Sequence, residues 1–232
     1  MRHEEKFICS ERQLALIESR LRTILQIDSH QDGDDYGIRS LYFDTFDDGM
    51  YQDSLNGVDR RRKYRIRFYN MNDVYFRMER KDTVGRLKQK YSTAISRENV
   101  RMCIDGAPLP DSDNDILKEV YTMQQAEGLH PVAVIDYRRC AFTYPVGNVR
   151  ITLDRNISCT HRIEEFTDKH ALLYPVMPYN KHILEVKYDG ILPGYIASAI
   201  NIGSLEQVSF SKYVYARNVI NGNGRKEDGY EF

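Results

Sequence analysis

Residues 60–70 read RRRKYRIRFYN, and their alternation limits what the chain can fold into. In an extended strand, successive side chains point to opposite faces. Lys63, Arg65, Arg67 and Tyr69 then share one face, and Tyr64, Ile66 and Phe68 share the other. A single strand of this kind is an ordinary half-buried strand with its charged side in water. The pattern recurs along the chain. Arg77, Glu79 and Lys81 oppose Phe76 and Met78, and Arg86, Lys88 and Lys90 share a face in the next segment. Tyr137 and Arg139 lie with Ile135 and Ala141; Arg150, Thr152 and Asp154 oppose Val149, Ile151 and Leu153. Glu185 and Lys187 oppose Leu184, Val186 and Tyr188. Two arrangements satisfy such a set. One is an open sheet with a wetted side. The other is a sheet closed on itself, with apolar faces outward under helices and charged faces inside.

The remaining segments supply those helices. Residues 2–9 read as a first strand with Glu4 and Lys6 on one face. Ser10 is placed to cap a helix whose apolar stripe is Leu14, Ile17, Leu21 and either Ile24 or Leu25. A strand at 38–45 precedes a turn or short helix around 47–55. Strands at 63–69, 74–81 and 86–95 follow in quick succession, with NMND and DTVG as turns, which predicts an antiparallel meander. Helices are predicted at 96–104 and 115–127, and strands at 131–144, 149–157 and 182–188. Residues 162–178 are weakly patterned. A short helix starts at Pro193, and 204–220 reads as a final helix. The expectation is one α+β domain over residues 1–220, a closed antiparallel eight-stranded β tunnel or barrel with helices packed outside, and a flexible tail at 221–232.

Charge narrows the ligand. The 33 Lys and Arg nearly balance 34 Asp and Glu. A nucleic-acid partner is therefore not expected, even with RRRK at 60–63. A barrel lined by cations needs an anion inside, because two like charges about 4 Å apart repel by about 4 kcal/mol at an effective dielectric near 20. Arg binds phosphate bidentately and Lys as a point charge. A few carboxylates among the cations suggest a divalent metal bridging to phosphate oxygens. The inferred ligand is a multiply charged phosphate chain.

Other chemistries are poorly supported. Cys9, Cys103, Cys140 and Cys159 lack zinc spacing, and with no leader segment at the start they read as reduced thiols of a cytoplasmic protein. No run of about 18 apolar residues predicts membrane insertion. The acidic DGDD and DTFDDG clusters lack EF-hand spacing and read as turns. The six histidines show no metal spacing and read as structural or surface residues.

The motifs SLYFDT, KYRIRFY, the Glu-x-Lys of MERK, YRR, VRITLD, LEVK and FSKY occur in this order over nearly the whole chain. Together they resemble the VTC domain, the polyphosphate polymerase domain of the vacuolar transporter chaperone complex, in its stand-alone prokaryotic form. That domain lies within the triphosphate tunnel metalloenzyme superfamily. The resemblance implies a catalytic set of Arg65, Arg67, Lys81, Lys88, Arg139 and Arg150, with Lys90 as the alternative to Lys88. It implies phosphate-binding roles for Lys6, Tyr137, Lys187, Ser211 and Lys212. Glu185 would be the metal ligand for Mn²⁺ or Mg²⁺, its alternative being a salt bridge. Glu4, Glu79 and Asp154 either join this chemistry or neutralise the lining.

The implied partners are ATP and polyphosphate, and the implied reaction moves the γ-phosphoryl group of ATP onto a growing chain. Hydrolysis of a triphosphate in the same tunnel, or polyphosphate binding without turnover, are the rival readings. Position 2 is Arg, so the Glu-x-Glu-x-Lys of generic tunnel triphosphatases is incomplete, which favours the VTC branch. Ser209 stands where some relatives carry a basic residue. The phosphate-sensing SPX domain and membrane helices of the eukaryotic complex are not expected in this polypeptide, which leaves a separate membrane partner and the oligomeric state open.

Overall fold

The alternating segments all become strands of one antiparallel sheet, because each carries a continuous apolar face that only packing against helices can bury. The computed structural model describes residues 2–29, 31, 33–85, 87–107, 114–203 and 205–222. Strand β1 (Arg2–Ser10) is followed by helix α1 (Glu11–Ile24), β2 (Gln26–Ile27), β3 (Tyr36–Asp44) and α2 (Gly49–Leu55). Then come β4 (Arg60–Tyr69), β5 (Phe76–Val84), β6 (Leu87–Ile95), α3 (Arg97–Asp105) and α4 (Asp115–Glu127). The second half holds β7 (His130–Tyr144), β8 (Val149–Thr160), β9 (Tyr174–Pro175), β10 (Lys181–Asp189), α5 (Gly194–Ile200), β11 (Glu206–Gln207) and α6 (Lys212–Ile220). The predicted tail falls, from residue 223 onward, outside the described residues.

The sheet order is β11-β1-β10-β8-β7-β3-β4-β5-β6, with β2 beside β7 and β9 beside β8. Its eight long strands are those the alternation predicts. The expected closed barrel needs correction. The sheet curls around a cavity, but among the described residues no backbone ladder joins β6 to β1. The two edges meet through side chains instead: Lys88 Nζ on β6 reaches Glu4 Oε2 on β1 at 2.7 Å. Leu87, Lys88, Gln89 and Lys90 are exposed on β6, and a lysine-bearing edge strand resists pairing.

The apolar faces do point outward. Leu14, Ile17 and Leu21 of α1 pack on Phe142, Ile151 and Leu184, together with Ile196 of α5. Val100, Cys103, Leu117 and Val120 of α3 and α4 cover Tyr64, Ile66, Phe68 and Met78. Local signals explain where these helices begin. Ser10 forms a capping box with Gln13, and Ser96 and Asn114 cap α3 and α4. Leu25, 8% exposed, completes the α1 stripe in preference to Ile24 at 38%. The four cysteines are buried free thiols, and burial pushes each one up, Cys9 to about 11 and Cys103 to about 12.

The predicted final helix over 204–220 is also corrected. Only Lys212–Ile220 is helical, starting after the Ser211 cap. Val208 N–H donates to the Lys6 carbonyl at 2.9 Å, and Lys6 Nζ donates to the Phe210 carbonyl at 2.6 Å. This pins 208–210 beside β1 and feeds α6 into the concave side. There Tyr213, Val214 and Ala216 pack with Ile38, Ile135 and Ile183. The interior of the sheet is thus apolar at one end and charged at the other.

Candidate active site: a cation-lined tunnel

A cavity of about 320 Å³ runs along the charged part of the concave face. Strand β4 contributes Arg61, Lys63, Arg65 and Arg67; β5 adds Glu79, Lys81 and Thr83; β6 adds Lys88 and Lys90. The opposite wall is Glu4 and Lys6 of β1, Glu185 and Lys187 of β10, and Tyr137 and Arg139 of β7. The segment from Ser209 to Tyr213 closes one side. Among the described residues eleven basic side chains face three carboxylates, so the lining is strongly positive although the whole chain is near neutral.

The arginines are held from behind. Arg65 donates from Nε to Glu79 Oε2 at 2.6 Å and from Nη1 to the Tyr42 hydroxyl at 2.9 Å. Arg67 donates to Ser40 Oγ at 3.0 Å and to the Tyr137 hydroxyl at 3.2 Å. Arg139 forms a fork with Asp154 at 2.6 and 2.7 Å, and Lys212 Nζ reaches the same carboxylate at 2.5 Å. Strand register sets these pairs, since Arg65 stands opposite both Tyr42 and Glu79, and Arg139 opposite Asp154. Such contacts fix a guanidinium before any ligand arrives, which reduces the ordering cost of binding.

The field shows in the titrating groups. Burial alone would raise Glu79, but the Arg65 and Arg67 charges hold it at about 2. Asp154 likewise sits at about 2 because Arg139 and Lys212 outweigh its burial. Burial would also raise the Tyr42 phenol, and Arg65 and Arg67 bring it down to about 8. Burial lowers Lys63 and Lys81 to about 8 from an ordinary 10.5. A lysine depressed in this way destabilises the ligand-free fold below about pH 8, and the penalty disappears as pH rises toward 10.5. Lys63→Met should therefore raise the urea midpoint more at pH 7 than at pH 10. Equal gains at both pH values would mean that the ammonium is not strained in the empty tunnel.

Glu185 is salt-bridged to Lys187 Nζ at 2.5 Å and to Lys6 Nζ at 3.7 Å. Glu4 shares the same Lys6 Nζ at 3.3 Å. Lys187 and Lys6 hold the Glu185 carboxyl well below the usual range against its burial. Two ionised carboxylates around one ammonium form a donor set that fits Mg²⁺ or Mn²⁺, which take one or two carboxylates and fill the rest with water and phosphate oxygens. Among the described residues no group of three or more His, Cys, Asp or Glu side chains is gathered to cage a metal.

The geometry gathers most of the expected side chains: Arg65, Arg67, Lys81, Lys88 and Arg139 with Lys6, Tyr137, Glu185, Lys187, Ser211 and Lys212. Lys88 and Lys90 both line the cavity. Arg150 stands apart. It faces the same way as Thr152 and Asp154, but its guanidinium pairs with Asp28 at 2.9 Å and does not line the cavity. Asp154 is not a lining residue either; it lies behind the wall with no exposure.

Sequence reasoning passed over Tyr42, Tyr213 and Asp44. Tyr42 stacks on Tyr213 with ring centres 5.2 Å apart. The buried Asp44 accepts from the backbone N–H groups of Met50 and Tyr51 at 2.8 and 3.0 Å and from the Tyr213 hydroxyl. It ties α2 and α6 to the end of β3. The only local hint was an Asp directly after an apolar strand and before a turn.

Comparison with known proteins agrees with this architecture. A Bacillus halodurans protein described as a candidate adenylate cyclase superposes with a TM-score of 0.50 at 15% identity, covering 85% of this chain and 84% of that one. A Pyrococcus horikoshii OT3 protein gives 0.46 at 13% identity over 92% and 96% of the two chains. The Mimivirus capping enzyme triphosphatase gives 0.35 at 10% identity over 81% and 82%. At 15% identity the likeness to the Bacillus halodurans protein is one of fold. No curated protein matches in sequence. Among the described residues no helix is long and apolar enough to cross a membrane. The model of the VTC domain matches residues 1–221, and the chain belongs to that family.

Proposed function

We propose that the chain is a metal-dependent polyphosphate polymerase that moves the γ-phosphoryl group of ATP onto the end of a polyphosphate chain. Membership of the VTC family supports an enzyme acting on triphosphates. The observation that carries the finer reading is the lining itself. Among the described residues it has eleven cations, no histidine and three carboxylates each held in ion pairs with lysine or arginine, so it is suited to neutralising phosphate.

In the proposed reaction a terminal phosphate oxygen of the chain attacks the γ-phosphorus as the bond to the β–γ bridging oxygen breaks. One P–O bond forms, one is lost, and ADP leaves. The nucleophile is already an anion, so no proton need move. Arg65, Arg67 and Arg139 would orient the phosphates, and Lys63, Lys81 and Lys90 would offset charge as it shifts to the leaving oxygen. Glu185, with Glu4 beside it, would hold Mn²⁺ or Mg²⁺, and the bound metal would neutralise phosphate oxygens as a Lewis acid. Arg150, paired with Asp28, would act at the periphery of this set.

The test is one reaction of purified protein, ATP and Mn²⁺, resolved for long phosphate chains on a gel and assayed for free phosphate. Chains appearing as ADP accumulates are expected. Free phosphate without chains would make the enzyme a hydrolase. Neither product, alongside a melting temperature raised by tripolyphosphate, would leave a binding module. Glu185→Ala should abolish turnover, and full activity in that variant would remove Glu185 from the metal site.

A further inference from the structure

A second cleft, of about 480 Å³, opens beside the tunnel. Its walls are α2, the start of β4, the end of β5 and the last turn of α4, which supplies Met123 and Glu127. Arg61 and Thr83 line both spaces. They are direct cross-strand partners, so one residue pair forms the rim between tunnel and cleft. The next inward-facing level holds Lys63 opposite Lys81, and Lys81 opposite Lys90.

The chemistry changes sign at that rim. The cleft carries four carboxylates, Asp47, Asp53, Asp82 and Glu127, against three arginines. Two of those carboxylates are occupied. Asp82 pairs with Arg62 and Arg80 at 3.3 and 3.2 Å, and Asp47 accepts from the Thr45 hydroxyl at 2.7 Å. Among the described residues the Asp53 and Glu127 carboxylates and the Arg60 and Arg61 guanidiniums have no ion pair and no side-chain hydrogen bond. The two free carboxylates are offset by the two free guanidiniums, so the cleft, unlike the tunnel, offers a phosphate chain no large positive excess. A group bearing hydroxyl donors is attracted to the free carboxylates. Met50 and Met123 add polarisable apolar surface, and free arginine planes stack on flat rings.

A ligand complementary to both spaces has a polyanionic tail, a hydroxyl-rich middle and a flat heteroaromatic head. We infer that this cleft seats the nucleoside of a nucleoside 5′-polyphosphate, whose phosphates pass between Arg61 and Thr83 into the tunnel. The inference rests on the triphosphate reading above and adds to it a place for the nucleoside and a direction of entry. From Arg61 to Arg65 the strand runs about 13 Å at about 3.3 Å per residue, enough for a triphosphate to reach the Arg65 level. The acceptor chain then lies beyond that level, on the Lys6 and Lys187 side.

The test compares ATP with methyl triphosphate, which presents the triphosphate without ribose or base. Dissociation constants are measured calorimetrically for the unmodified chain and for an Asp53→Asn, Glu127→Gln double variant. ATP should bind the unmodified chain roughly tenfold more tightly, the worth of one hydrogen bond to a charged group. In the variant this ratio should fall to near one, while methyl triphosphate binding stays within about twofold. Equal affinities in the unmodified chain, an unchanged ratio in the variant, or a parallel loss of both ligands would overturn the nucleoside seat and leave the triphosphate tunnel standing. If neither ligand binds the unmodified chain, the triphosphate reading fails and the seat fails with it.

Discussion

Asp154→Asn should destabilise the ligand-free chain by about 3–5 kcal/mol, the usual cost of breaking a buried ion pair by removing one partner. The Asp154 side chain has no exposure and compensates two cations at once. Arg139 holds it with a two-bond fork, and Lys212 meets it at 2.5 Å from the first residue of α6. Asparagine keeps the shape and removes the charge, which leaves Arg139 and Lys212 without their main counter-charge. For a domain of this length, about 1 kcal/mol corresponds to roughly 2–4 °C, so the expected fall in melting temperature is about 10 °C. Two further readouts separate this account from a general packing defect. Tripolyphosphate supplies negative charge to the same cavity, so it should raise the variant's melting temperature by more than that of the unmodified chain. The pH dependence is also specified. The folded-state carboxyl lies at about 2 against an ordinary 3.8, so its contribution is complete above about pH 4 and is lost as pH falls toward 2. The gap between the two proteins should narrow over that window. A melting temperature within 2 °C of the unmodified chain, roughly 1 kcal/mol or less at this length, would show that the triad carries no net stability.

Arg65→Ala should lower kcat/KM for ATP-dependent turnover by about a hundredfold or more, roughly 3 kcal/mol, as losing one preorganised donor does elsewhere. Arg65 lies at the centre of the lining, between the Tyr42 hydroxyl and Glu79. Those contacts, with Nη2 also on Glu79 Oε2 at 2.6 Å, fix the guanidinium plane in the cavity wall. Arg65→Lys keeps the charge and loses the fork, so it should recover less than a tenth of the activity. Both variants keep the remaining ten cations, so tripolyphosphate should still raise their melting temperatures. Activity within threefold in Arg65→Ala would place the reacting phosphate elsewhere along the tunnel.

Much of this organisation was legible without coordinates, for local reasons. A strand buried on one side writes its face into every second residue, so the inward set of β4, β5, β6, β7 and β10 could be read directly. Helix starts were equally local: Ser10, Ser96 and Asn114 each bond to backbone within three residues. The stretch before α6 reads as helix because Leu205 and Val208 have helical spacing, although Val208 and Phe210 are spaced as on a strand. Only contact with β1 selects the latter.

What needed the tertiary structure was height, closure and support. Alternation assigns Arg150 to the inner face but not to a level along the tunnel. The fold places it against Asp28, while its cross-strand partner Lys187 lines the cavity. The backbone pattern cannot say whether the first and last edges of the sheet pair, and here they meet through Lys88 and Glu4 instead of a ladder. Tyr42 and Asp44 of β3 and Tyr213 of α6 support the site from two elements far apart in the chain, so no single short window of sequence holds the whole signal. The sequence by itself determined which side chains face inward, because that follows from a two-residue period. The fold decided which of them share one cavity, because that depends on strand stagger and on where α6 enters.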